Sequence, residues 1–189
     1  KATGGLALFA AGSVGSTSPK APKGGFDGVE AMGQALARET LQALPAIPLK
    51  DQVQFDLLGV TLPLPELQAR LTESIRVRPW LASKVLPVGD ETFLQGFRFD
   101  RTLWLSTPCD FSGELAVDLK SKAHASDSHL SITSFNGDYV GYVIPSKYYG
   151  MSGYEPRTMS FFGPHLPDYF VATLESISRS LLPPVGATP

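Results

Sequence analysis

Five of the six tyrosines of this chain lie within sixteen residues of one another. The segment reads DYVGYVIPSKYYGMSGYE, and its tyrosines are Tyr139, Tyr142, Tyr148, Tyr149 and Tyr154. A phenol can donate or accept a hydrogen bond, and a phenol deprotonated beside a metal can serve as a ligand. Because glycines and turn residues interrupt the segment, the tyrosines are poorly placed for a core. The pattern indicates a binding surface; tyrosines that pack on the outside of a core are the alternative.

Two other loops carry residues that could do chemistry. The turn GSTSP, residues 15–19, can expose a serine hydroxyl at the end of a strand and aim backbone N–H groups at a developing oxyanion. Serine- and proline-rich turns without any such role are more common. In TPCDFS, residues 107–112, Asp110 is either a metal ligand or general base, or the N-cap of the following helix.

Other reactive side chains give weaker signals. Cys109 is a candidate nucleophile if a histidine approaches it, and otherwise a small buried thiol. His124, His129 and His165 show no metal-ligand spacing. We expect the first two to face solvent around a polar turn, and His165 to begin the last helix.

Alternating strands and helices must position these loops. Apolar periodicity predicts helices over residues 27–44, 65–75, 112–123 and 166–182. Apolar runs and alternation predict strands over residues 6–11, 53–62, 93–99, 102–106 and 130–134. The order indicates an α/β sandwich with a mixed sheet. Residues 1–182 are predicted to form part of a single domain, and residues 183–189 a flexible tail.

Composition excludes several classes of function. Net charge is −2 with no basic run, which argues against a nucleic-acid partner. One cysteine permits no internal disulfide framework, and no apolar stretch is long enough for a transmembrane segment. The chain starts at Lys1 and runs at once into an apolar segment, so we expect further sequence upstream.

The three loops, in this order, resemble the catalytic domain of the neutral, non-lysosomal ceramidases. GSTSPK after LALFAAGSV is similar to the family's GDxSPN, and PCDFS is similar to its PGEFT. DYVGYVIPSKYYGMSGYE followed by FFGPH resembles the family's YxxYxTxxEEY, RYE and YGPH. The spacing of twelve residues from Tyr142 to Tyr154 also matches.

The resemblance implies a C-terminal portion of a ceramidase-like catalytic domain, incomplete without an upstream segment. Ser18 would lie near the scissile amide, and Tyr154 would hydrogen-bond the carbonyl as it becomes an oxyanion. Asp110 and Tyr142 would be zinc ligands, with the remaining histidine ligands upstream of this chain. Further substrate contacts are predicted at Gly15, Tyr139 and Arg157. Arg157 either pairs with an anionic substrate group or faces solvent.

Two departures from the family pattern affect the predicted function. Ser16 replaces an aspartate, and Asp110 replaces a glutamate, which shortens the ligand by one methylene. The favoured hypothesis is a zinc-dependent hydrolase, located outside the cytoplasm, that cleaves an amide bond of a ceramide-like N-acyl lipid or a related substrate. A non-catalytic binding or scaffold protein with a degenerate site is the alternative. A serine hydrolase using Ser18 and a histidine of this chain is a third option, and it would be insensitive to chelators.

Overall fold

The chain forms two compact units, Lys1–Thr17 with Gln54–Pro189, and Ser18–Val53. A computed structural model describes residues 4–48, 50–86, 88–125 and 128–182. The predicted tail, 183–189, lies outside the described residues. The assignment of residues 1–182 to one domain stays a prediction.

A mixed four-stranded sheet forms the centre of the first unit. The strands are β1 Phe55–Pro63, β2 Glu91–Phe99, β3 Thr102–Ser106, β4 Asp110–Phe111, β5 His129–Thr133 and β6 Tyr142–Val143. The large sheet has the order β1-β2-β3-β5, with antiparallel pairs except for β3 and β5, which are parallel. β4 and β6 form a separate parallel pair. The helices of this unit are α2 Pro79–Val85, α3 Gly113–Ala125 and α4 Leu166–Leu181, where α1 denotes the helix of the second unit. The predicted mixed-sheet α/β fold is confirmed.

One face of the large sheet is buried under α4. Alternate residues of β2 and β3 point to this face because side chains of a strand alternate between its two sides. Leu94 and Leu105 are fully buried there, in one core with Phe170 and Leu174 of α4. A methyl group at Gly96 would lie 2.6 Å from the Ile177 side chain, so glycine allows the helix to approach the strand closely.

The opposite face of the sheet is aromatic and exposed. Phe55, Phe93, Phe99 and Trp104 are each between about a third and a half exposed. The rings of Phe55 and Phe99 are 5.1 Å apart across the β1–β2 pair. With polar residues that follow β5, the face encloses an open concavity of about 430 Å³.

Two predicted elements of this unit are wrong. Residues 6–11 form no strand, and Leu6, Leu8 and Phe9 are more than four-fifths exposed. Of this run, Ala11 accepts a hydrogen bond from the backbone of Ser134 at 3.0 Å. Among the described residues, no strand pairs with residues 6–10.

Residues 65–75 form a turn instead of the predicted helix. The chain reverses so that Arg70 and Arg76 pair as an isolated antiparallel bridge. Thr72 Oγ1 accepts a hydrogen bond from the Ile75 N–H at 3.1 Å. Such a local bond offers the backbone an alternative to the helix, so the periodic leucines mislead here.

The second unit contains one long helix. α1 spans Gly25–Ala43, where the apolar periodicity predicts a helix over residues 27–44, and a 3₁₀ turn follows at Leu44–Ala46. A side chain at Gly28 would lie 2.2 Å from the carbonyl oxygen of Lys23, which explains this glycine. Most of the apolar side chains of α1 are exposed, including Val29 and Leu36.

Candidate active site

Asp110 and Tyr142 are direct neighbours on two short parallel strands. They are paired in the register of β4 and β6. The Asp110 N–H donates to the Gly141 carbonyl at 3.0 Å, and the Ser112 N–H donates to the Val143 carbonyl at 3.0 Å. Paired residues on adjacent strands share one face and lie about 4.8 Å apart. The two predicted zinc ligands are therefore side by side.

The loops that follow β3 and β5 bring Tyr139 to the same place. The carboxyl ends of parallel strands lie at one edge of a sheet, where α/β proteins commonly bind ligands. The Thr107 N–H donates to the Thr133 carbonyl at 2.9 Å, and the Asn136 N–H donates to the Thr107 carbonyl at 3.0 Å. These bonds hold the two loops against each other.

Tyr139 contacts the carboxylate directly. Its hydroxyl donates a hydrogen bond to Asp110 Oδ2 at 2.7 Å. Burial raises the pKa of Asp110 because it disfavours the charged form, and the Tyr139 hydrogen bond acts against that rise. Burial and the nearby carboxylate raise the pKa of Tyr139, so this phenol is a neutral donor at physiological pH. Tyr139 therefore orients Asp110.

Tyr154 packs against the proposed ligand Tyr142. Their rings are 5.9 Å apart and meet edge to face at 81°. Burial, and then the charge of Asp110, raise the pKa of Tyr142. Tyr154 is 59% exposed. The structure thus brings together Asp110, Tyr139, Tyr142 and Tyr154.

Tyr154 begins a π-helix, Tyr154–Met159. Such helices are rare and frequently occur at functional sites. Gly141 lies beneath this helix with a φ of 84°, and a side chain there would be 2.2 Å from the Met159 carbonyl oxygen. Sequence reasoning missed Gly141, although a glycine directly before a proposed ligand was the available signal.

The serine loop supports the strand that carries Asp110. Gly15 packs so closely that a side chain would lie 2.4 Å from the Asp110 carbonyl oxygen. The Gly15 N–H donates to the Phe111 carbonyl at 2.9 Å, so this donor is already engaged within the protein. Its predicted contact with substrate stays a prediction.

Ser16 caps helix α3 from outside the helix. Its hydroxyl accepts a hydrogen bond from the Gly113 N–H at 3.0 Å. Serine and aspartate are among the best capping residues, so an aspartate at position 16 could accept the same hydrogen bond. Asp110 is not the cap of this helix, because it lies on β4 and its carboxylate binds Tyr139.

The roles of two other predicted site residues rest on the sequence alone. Ser18 is the exposed first residue of the second unit, two positions after Ser16 in the chain. Arg157 is half-buried on the π-helix, where its N–H donates to the Gly153 carbonyl at 3.1 Å. The predicted roles of Ser18 and Arg157 stay predictions.

Cys109 is a buried thiol, and the three histidines lie where the sequence predicts them. Cys109 is fully buried, and burial raises the pKa of its thiol, which disfavours the nucleophilic thiolate. His124 and His129 are exposed as expected, and His165 precedes the first turn of α4.

The residues present fit a zinc site in part. Among the described residues, no group of three or more histidine, cysteine, aspartate or glutamate side chains could hold a metal ion. Asp110 and Tyr142 offer two adjacent oxygen ligands. A catalytic zinc usually takes three protein ligands, so this pair alone would not complete such a site.

Comparisons with known proteins match the fold. No protein-family model and no curated protein matches the sequence. The structure of neutral ceramidase from Pseudomonas aeruginosa matches with a TM-score of 0.71 at 16% identity, over 97% of this chain and 39% of that chain. A structure described as ceramidase complexed with C2 matches over 61% of this chain and 18% of that chain at 18% identity. Its TM-score of 0.44 is too low to support an argument.

No helix in the described part of the chain is long and apolar enough to cross a membrane. The chain spans 39% of the length of the neutral ceramidase that it matches. The resemblance predicted from the three loops is confirmed at the level of the fold: this chain folds like a part of neutral ceramidase.

Proposed function

We propose that the chain is part of a zinc-dependent hydrolase that cleaves the amide bond of a ceramide-like N-acyl lipid or a related substrate. The pairing of Asp110 with Tyr142, with Tyr154 against it, carries the proposal. The sequence motifs predict that these residues belong to one site, and in the fold they are neighbours. The likeness to the neutral ceramidase structure adds support from the fold.

Asp110 and Tyr142 would hold the metal together with histidines from an upstream segment. Zinc, when bound, polarises a carbonyl and lowers the pKa of a nearby water or hydroxyl. Tyr139 keeps the Asp110 carboxylate in place through its 2.7 Å hydrogen bond. Because that bond engages one carboxylate oxygen, the other remains for the metal.

Tyr154 would donate a hydrogen bond to the substrate oxygen as charge develops on it. Its phenol hydroxyl can donate one hydrogen bond of this kind. Loss of one such donor typically lowers the rate about a hundred- to a thousandfold. Ser18 would act on the same amide, either as the attacking hydroxyl or by positioning a water molecule.

The upstream segment is the proposed protein partner of this chain. The exposed aromatic face of the large sheet, which includes Phe55, Phe99 and Trp104, supports this. Exposed apolar patches of this kind commonly mark interaction surfaces. We further propose an extracytoplasmic location, as expected from the resemblance.

The test uses the protein that contains this chain together with its upstream segment. Hydrolysis of a fluorogenic N-acyl amide is measured for the wild type, Tyr154→Phe and the control Tyr148→Phe. The Tyr148 hydroxyl donates to the partly exposed Glu114 at 2.9 Å, so the control loses a phenol from the same segment. We expect kcat to fall at least about a hundredfold for Tyr154→Phe and less than twofold for the control. Equal rates for all three proteins would contradict the proposal.

A further inference from the structure

Arg70 links the turn at residues 65–75 to the tyrosine segment and to the π-helix. Its Nη2 atom donates to the Tyr149 carbonyl at 2.5 Å and to the Pro156 carbonyl at 2.6 Å. Its guanidinium also lies 4.0 Å above the centre of the Tyr149 ring. One side chain therefore fixes two backbone positions seven residues apart.

Along the chain, Tyr154 lies between Tyr149 and Pro156, the two residues whose carbonyls Arg70 binds. Pro156 is a buried residue of the π-helix that Tyr154 begins. Tyr154 is more than half exposed and its ring meets the Tyr142 ring edge to face, so side-chain packing supplies only part of its restraint. The backbone must therefore supply much of the restraint on Tyr154, and Arg70 holds that backbone on both sides.

Gln68, two residues before Arg70, adds further hydrogen bonds between this turn and the chain around the π-helix. The Gln68 N–H donates to the Phe161 carbonyl at 2.6 Å, and the Tyr149 hydroxyl donates to the Gln68 carbonyl at 3.3 Å. The turn at residues 65–75 thus contacts the chain before, within and after the π-helix. The misprediction of this turn as a helix hid its role from sequence reasoning.

We propose that Arg70 is a positioning residue that sets the place of the Tyr154 hydroxyl relative to Tyr142. The catalytic part of this inference rests on the proposed function. Lysine should replace arginine poorly, because an ammonium group lacks the plane that stacks on Tyr149. Small displacements of a catalytic group can lower a rate by about a hundredfold.

The test compares Arg70→Ala and Arg70→Lys with the control Arg76→Ala. Arg76 is exposed and lies opposite Arg70 in the same turn, where it binds the Gln68 side chain at 3.2 Å. The first readout is trypsin cleavage after Arg157, within the π-helix. The second is the fluorine NMR signal of Tyr154 in 3-fluorotyrosine-labelled protein, assigned with Tyr154→Phe. The third is the split between kcat and KM for amide hydrolysis.

For Arg70→Ala we expect cleavage after Arg157 to speed up at least tenfold and the Tyr154 signal to shift or broaden. We expect kcat to fall at least tenfold with KM changed less than threefold. Arg70→Lys should recover less than half of each loss, and Arg76→Ala should match the wild type. If Arg70→Ala fails to fold, Arg70→Lys provides the same three readouts.

Unchanged cleavage and an unchanged Tyr154 signal in both Arg70 variants would overturn the proposal. Full recovery by lysine would overturn the role of stacking and with it the assignment to arginine. Unchanged hydrolysis in Tyr154→Phe would instead contradict the proposed function. In that case cleavage and NMR still decide whether Arg70 positions Tyr154.

Discussion

Tyr139→Phe removes one hydroxyl and leaves the ring in place. That hydroxyl donates to the carboxylate of Asp110, which is 7% exposed. A hydrogen bond to a charged group contributes about 1.5–3 kcal/mol, and removal leaves a buried acceptor unsatisfied. We expect a loss of about 2 kcal/mol in the free energy of unfolding at pH 7. For a chain of this size the midpoint of thermal unfolding should fall by about 4–8 °C.

The loss should depend on pH in a defined direction. The Tyr139 hydrogen bond opposes the rise in the pKa of Asp110 that burial causes, so the variant should have a still higher folded-state pKa. A carboxyl group whose folded pKa is raised loses stability as pH rises through that pKa. The difference between variant and wild type should therefore be largest at pH 7 and shrink as Asp110 becomes protonated at lower pH.

Urea unfolding from about pH 7 down to about pH 3 measures this difference. Tyr148→Phe is the matched control, because its hydroxyl binds a partly exposed carboxylate, and it should change stability by less than about 0.5 kcal/mol. A double-mutant cycle with Asp110→Asn should give a coupling energy above about 1 kcal/mol. A loss that does not vary with pH, or a coupling near zero, would refute the assignment of Tyr139 as the partner of the Asp110 carboxylate.

Three further predictions concern the support of the site. Gly141→Ala should lower the free energy of unfolding by about 3 kcal/mol or more, because it combines a φ of 84° with a clash against the Met159 carbonyl. Gly150→Ala, with open space around it, should change urea unfolding by less than about 0.5 kcal/mol, and equal effects would contradict the geometry. Ser16→Ala should destabilise by about 1 kcal/mol through loss of the hydrogen bond that caps the Gly113 N–H of α3, whereas Ser16→Asp should keep wild-type stability. Equal losses in both Ser16 variants would show that the cap is not the reason. Cys109 should react with a thiol reagent about a hundredfold more slowly in the folded chain than in urea, and fast labelling of folded protein would disprove its burial.

Local patterns predicted much of the fold because the residues of α4 and β2 satisfy both their own periodicity and the packing of the core. The 166–182 helix and the 93–99 strand are found at Leu166–Leu181 and Glu91–Phe99. Residues 65–75 were mispredicted because a turn bond at Thr72 and the contacts of Arg70 prevail over leucine spacing. Such contacts join residues distant in the chain, and no local pattern encodes them.

In the candidate site, too, sequence patterns identify some residues, and contacts between distant parts of the chain determine the rest. Spacing and motif identified Asp110, Tyr142 and Tyr154, and the fold brings them together. From the sequence, Tyr139 is predicted to contact substrate. The sequence cannot show that its hydroxyl also reaches the Asp110 carboxylate. Gly141 and Arg70 act through close approach and backbone contacts, which become visible only when the loops are placed in three dimensions.

The most direct test of the proposed site is the zinc content of the protein that contains this chain and its upstream segment. We expect about one zinc per molecule, removal of activity by a chelator and recovery when zinc is restored. Asp110→Asn and Tyr142→Phe should each weaken zinc binding at least about tenfold, whereas the control Tyr148→Phe should bind zinc as the wild type does. Wild-type zinc content and affinity in both Asp110→Asn and Tyr142→Phe, or hydrolysis that persists without metal, would contradict the account.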